Sequence, residues 1–165
     1  PYSDDEILSV NSIFNRKRKK TIHFLHQRAT EANFKNNISK AKFVHVATHG
    51  FINKSTPLLS GLVFCDYKEP QSNDRFNEED ITNDGILYLN ELYNLEIKSD
   101  LVVLSTCEGG NGKLEASEGI MSMSRALLHA GAINIISSLH KVTDKHAKEL
   151  MIYFYENTMM GNQYS

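Results

Sequence analysis

Apolar residues recur at helical spacing near the start of the chain, where Ile7, Val10 and Phe14 follow Ser3-x-x-Glu6. A serine with a glutamate three residues on is a capping box, so a first helix is predicted from about Asp4 to Asn15. The basic run Arg16 to Lys20 ends it and reads as a solvated turn rather than a nucleic-acid patch. Thr21 to His26 has the composition of a strand, and Thr30 is placed to cap a short helix carrying Phe34 and Ile38 on one face.

Two later segments are apolar on both faces. Phe43-Val44-His45-Val46-Ala47 precedes a Thr48-His49-Gly50 turn, and Leu101-Val102-Val103-Leu104-Ser105 stops at Thr106-Cys107-Glu108-Gly109-Gly110. Such runs are expected of strands buried on both sides of a parallel sheet. Between them lie an apolar segment, Leu58 to Phe64, broken by Ser60-Gly61, and a polar, acidic stretch from Asp66 to Asp84 that reads as loop. Order is expected to return at Ile86-Leu87-Tyr88, with Asn90 capping a short helical turn through Leu92 and Tyr93.

The last third alternates again. Ser117 to Ala130 is predicted helical, with Ile120, Met123, Leu127 and Ala130 on one face and Gly131 as its stop. Ile133 to Leu139 is the next predicted strand, and Thr143 is expected to cap a final helix with an Ala147, Leu150, Met151 and Phe154 stripe. Helix and strand in alternation imply an α/β fold, a mainly parallel sheet flanked by helices with right-handed crossovers.

Composition changes little in this picture. The 165 residues are 41% apolar and 23% charged, enough for one ordinary globular domain with its own core. A formal charge of −2 supplies no field for nucleic acid or an anionic membrane, and neither is expected as a direct partner. No apolar run approaches the roughly 20 residues that span a bilayer, and the polar, acidic start is unlike a signal peptide. Beginning at Pro1 without Met, the chain is expected to be a piece of a longer one. Two cysteines, Cys65 and Cys107, with no clustered Cys/His spacing, suggest a reducing, cytoplasmic setting with no metal and no cofactor.

Candidate chemistry gathers where the two apolar strands end, since α/β sheets bind ligands beyond the carboxyl ends of their strands. If those strands are parallel neighbours, His49 and Cys107 lie at the same edge about 5 Å apart. An imidazole there assists thiol deprotonation and later protonates a leaving amine. Gly50 allows close approach of backbone to a substrate carbonyl, and the N–H groups of Gly50 and Cys107 are candidate oxyanion donors. Glu118 and Asp144 are weaker candidates for binding a basic substrate side chain, and helix capping explains each by itself. Cys65 lacks a companion His-Gly or glycine-rich loop and reads as a buried structural thiol, and the remaining histidines read as structural or surface residues. Gly109-Gly110-Asn111-Gly112-Lys113 fails as a phosphate loop, because its first glycine would fall on Cys107 and Leu114 replaces the hydroxyl residue.

The segments Phe43 to Gly50, Leu101 to Gly110, Ser117-Glu118-Gly119 and Gly131-Ala132, in that order, resemble the CHAT family of caspase-like proteins. The resemblance continues through Ser60 to Phe64, Asp84 to Leu87 and Leu139 to Asp144, where His140 stands at a position usually held by Trp. It implies a caspase–hemoglobinase-like fold over 1–165, a cysteine endopeptidase acting through a thioester, and His49 and Cys107 as the dyad. It also implies a bacterial protein with upstream tetratricopeptide repeats or an activating partner that regulate cleavage of a protein substrate. Two other readings differ in class: a catalytically silent caspase-like interaction module, and a nucleotide-binding α/β domain, the latter weakened by the failed phosphate loop.

Overall fold

The computed structural model describes residues 2–53, 55–67, 83–108, 113–138 and 143–159, and these fall into two compact units. The first, Pro1–Leu25 with Val142–Ser165, is built on helices α1 (Tyr2–Arg16) and α5 (Asp144–Met159). Their contacts advance together along both helices, Lys148 with Asp5, Tyr155 with Phe14 and Glu156 with Arg16, so the two run parallel. The ion pairs are solvent-exposed and contribute little. The apolar side chains Val10, Ile13, Phe14, Met151 and Tyr155 are buried, and the Phe14 and Tyr155 rings meet edge to face at 5.5 Å.

Helix α1 keeps both predicted ends to within a few residues and α5 begins where predicted, but α5 is rotated from its predicted stripe. Tyr155 is buried beside Met151, one turn apart, whereas Leu150 is 54% exposed. The neighbouring helix decides which face is covered, not the count of apolar residues. Thr143 precedes α5 as predicted, its carbonyl accepting the N–H of Ala147 at 2.9 Å.

Thr21 to His26 does not form the predicted strand. The Thr21 hydroxyl lies 2.7 Å from Asn11 Oδ1 and 3.1 Å from Asn15 Oδ1, which ties it to α1, and His26 turns with φ 50 into a 3-10 turn, His26–Arg28. Strand propensity is realised only where a sheet edge is available for pairing.

The second unit, His26–Lys141, holds the sheet. Among the described residues it has five strands, β1 (Phe43–Phe51), β2 (Gly61–Val63), β3 (Ile86–Tyr88), β4 (Leu101–Glu108) and β5 (Ile135–Ser137), in the order β3-β2-β1-β4-β5. β1 pairs parallel with β4 and β4 parallel with β5, while β2 lies antiparallel to both β1 and β3. Four strands therefore share one direction and only β2 opposes them, which makes the α/β sheet mixed but mostly parallel.

Helix α2 (Glu31–Ile38) has the predicted Thr30 cap, whose hydroxyl accepts the N–H of Asn33 at 3.2 Å. Helix α3 (Leu89–Leu92) starts one residue before the predicted cap Asn90, and Glu91 Oε2 accepts the N–H of Tyr88 at 3.0 Å instead. Helix α4 spans Lys113–His129 and begins earlier than predicted. Val46, Val102 and Leu104 share a buried core with Ile38, Met123, Ala126 and Leu127, so the even-numbered positions of β1 and β4 face helices α2 and α4. Gly131 ends α4 with φ +112, and a Cβ there would lie 2.3 Å from the Ile97 carbonyl oxygen, so only glycine fits this turn.

Candidate functional site

The predicted turn Thr48-His49-Gly50 is instead the continuation of β1, and Thr106 and Cys107 likewise belong to β4. Thr106 and Cys107 pair with Thr48 and His49 of β1, and the end of β1 gains a second partner on its far side. His49, Gly50 and Phe51 pair with Val63, Leu62 and Gly61 of β2. The Thr48 hydroxyl also donates to the Val63 carbonyl.

On its other side β1 keeps step with β4 without a slip from Phe43↔Leu101 to Gly50↔Glu108. That register sets His49 against Cys107. Residues in register on neighbouring parallel strands occupy the same face, with backbones about 4.8 Å apart. Positions 49 and 107 therefore share a face opposite the one covered by α4, and His49 is exposed. Gly50 points the other way: a Cβ built on it would sit 3.7 Å from Met123 Cε.

Beyond β2 a charged network holds both ends of the 66–84 segment. Glu31 is fully buried; its backbone N–H is bonded by Asp66 Oδ1 at 3.2 Å, and its Oε2 accepts the N–H of Gly85 at 3.0 Å. Its carboxylate also pairs with Lys35, which reaches Glu91 at 2.7 Å. Burial pushes the Glu31 carboxyl above its ordinary value, with Lys35 opposing the shift. Burial by itself would lower the Lys35 ammonium, but its bonds to Glu31 and Glu91 outweigh that and raise it. Asp84, which accepts the N–H of Ile86 at 2.9 Å, is also raised by burial.

Nothing in the residue pattern announced the burial of Glu31, which looks like an ordinary acidic residue in a first helical turn. The positions of Phe51 and Tyr88 beside His49 were equally invisible, because β2 and β3 had no recognisable partner. Among the other predicted residues, Glu118 lies within α4 and Asp144 opens α5 in the helical unit. The glycine-rich loop at 109–112, most of the acidic stretch at 66–84, and Leu139, His140, Lys141 and Val142 fall outside the described residues. Cys65 is exposed rather than the buried thiol expected, its N–H bonded to the Ala29 carbonyl at 3.1 Å. Desolvation and the adjacent Asp66 push its thiol up, away from the reactive thiolate form.

Among the described residues no group of three or more His, Cys, Asp or Glu is placed to hold a metal ion, and no helix is long and apolar enough to cross a membrane. None of the curated proteins matches the chain. The CHAT domain model matches residues 1–165, across both units. With an α/β sheet of mostly parallel strands and a match over its full length, the chain belongs to the CHAT domain family, which is related to caspase-like cysteine peptidases.

Proposed function

We propose that this domain is a cysteine endopeptidase in which Cys107 is the nucleophile and His49 the general acid and base. The observation that carries the reading is the register of β1 on β4, which pairs His49 with Cys107 on one face of the sheet. In the proposed reaction the Cys107 thiolate attacks a peptide carbonyl, and the C–N bond breaks as His49 protonates the departing amine. Water then adds to the thioester with His49 taking its proton, which releases the new carboxyl terminus and restores the thiol.

The N–H groups of Gly50 and Cys107 are the proposed oxyanion donors. Gly50 lies between paired strands on both sides, so its N–H is directed at a neighbour in the closed sheet. Its use as a donor requires the end of β1 to part from the ladder as substrate enters. Glu118 and Asp144 remain proposals for contact with a basic substrate residue. In the same reading the protein is bacterial and cytoplasmic, and upstream tetratricopeptide repeats or an activating partner govern access to a protein substrate.

A thiol-directed peptidyl electrophile tests the dyad. It is expected to modify Cys107 and leave Cys65 unmodified, with the rate falling sharply in His49→Ala. Equal labelling of both cysteines, or labelling indifferent to His49, counts against a catalytic dyad. Regulation is tested by comparing cleavage by the isolated 165-residue chain and by the full-length protein, with and without its partner; full, partner-independent activity of the isolated chain removes the regulatory proposal.

A further inference from the structure

The strand pairings that place His49 also place a set of apolar side chains beside it. Across β1, β2 and β3 one row reads His49, Val63, Ile86 and the next, toward the carboxyl end of β1, reads Phe51, Gly61, Tyr88. Directly opposed residues lie on a common face. Phe51, Val63, Ile86 and Tyr88 thus share the face of His49 and Cys107.

The two sides of the dyad row differ in what they offer a substrate. Toward the middle of the sheet the next paired positions are Ala47 and Ser105, both too small to grip a side chain. Toward the carboxyl edge, where sheets of this kind bind ligands, stand two aromatic rings. Phe51 and Tyr88 meet edge to face with centroids 6.3 Å apart, on either side of Gly61. Gly61 contributes no side chain, so the rings contact each other directly and form a continuous apolar surface. Both are half-buried, which leaves ring area for a further contact.

Charge on this surface is already engaged. The Asp84 carboxylate accepts the N–H of Ile86 at 2.9 Å. Burial raises the Asp84 carboxyl above its ordinary value.

We propose that Phe51 and Tyr88 form the subsite for a large aliphatic or aromatic substrate side chain, that of the residue whose carbonyl Cys107 attacks. The proposal rests on the dyad reading, and it assigns specificity at this one residue to β1 and β3, leaving Glu118 and Asp144 to a different residue of the substrate. Burying a leucine- or phenylalanine-sized side chain against two rings discriminates against glycine by about tenfold or more.

The test uses peptidyl acyloxymethyl ketones that differ only in the residue beside the ketone: Gly, Leu, Phe, Arg or Asp. The readout is the labelling rate of Cys107, expressed as its ratio to the Gly probe so that general thiol reactivity cancels. The Leu and Phe probes are expected to lead by about tenfold or more. That ratio is expected to collapse in Phe51→Ala and Tyr88→Ala and to persist in Tyr88→Phe, which keeps the ring; Phe51→Leu serves if the alanine variant is poorly folded. A preference for Arg or Asp, no preference at all, or one untouched by these substitutions overturns the subsite while a His49-dependent label on Cys107 leaves the dyad standing. If labelling of Cys107 does not depend on His49, the dyad and the subsite fall together.

Discussion

His49 is paired with Cys107 on one side of β1 and with Val63 on the other, so the histidine is held by strands on both flanks. A residue on a free loop would need to be ordered when substrate arrives. This backbone is ordered by two ladders before any substrate is present. In the proposed mechanism this preorganisation would serve His49 as base, since misplacement of about 1 Å is costly, while the parting required for the Gly50 donor would have to stop short of His49.

Cys107→Ala is expected to abolish cleavage, and His49→Ala to lower kcat/KM by orders of magnitude. In the proposed mechanism the pair acts as one unit, so the double variant should be no worse than Cys107→Ala. Circular dichroism and thermal melts should show each variant folded. Normal cleavage by Cys107→Ala would sink the mechanism.

Gly50 and Gly61 lie on adjacent strands, yet alanine should affect them differently. At Gly61 an added Cβ would sit 2.6 Å from the Leu87 carbonyl oxygen, backbone that cannot give way cheaply, whereas at Gly50 its nearest neighbour is at an ordinary 3.6 Å. Gly61→Ala is expected to destabilise by about 1–3 kcal/mol and Gly50→Ala by less than about 1 kcal/mol. Urea unfolding measures both, and equal losses would contradict the packing described at β2 and β3.

Glu31 joins α2 to Gly85 and pairs with a partly covered lysine. Glu31→Ala leaves the Gly85 N–H without its acceptor and Lys35 with Glu91 alone, at an expected cost of about 2–4 kcal/mol. Glu31→Gln keeps an acceptor and should cost less. If both variants melt with the wild type, the network does not anchor this region.

Asp84 supplies a pH dependence whose sign follows from its raised pKa. The folded state binds this proton more tightly than the unfolded chain, so the stabilisation is complete below the ordinary value of 3.8 and is lost as pH rises through the raised value. At neutral pH the ionised group is therefore a small liability, which Asp84→Asn removes while retaining an acceptor for Ile86. The substitution is expected to raise the melting temperature at pH 7 by on the order of 1–2 °C, an advantage that shrinks as pH falls toward 3.8. An advantage that grows on acidification would reverse the assignment.

The residue pattern determined the parts of this protein that local physics controls. Thr30 followed by Phe34 and Ile38 specified a capped helix, and two continuous apolar runs, Phe43 to Ala47 and Leu101 to Ser105, specified strands; Leu101 to Leu104 are buried as expected, whereas in the first run only Val46 is buried and Phe43 is exposed. The same pattern put His49 and Cys107 near the ends of those strands. Tertiary structure decided what depended on neighbours. Thr21 to His26 lost its strand because no edge pairs with it, whereas Thr48 to Phe51 became strand because β2 and β4 flank it. Leu150 is exposed and Tyr155 buried because α1 covers one face of α5. The His49–Cys107 register, the Phe51–Tyr88 contact and the Glu31–Gly85 bond join residues 58, 37 and 54 positions apart in the chain. Periodicity and capping act within a few residues, so pairings at that range are settled only when the strands and helices pack.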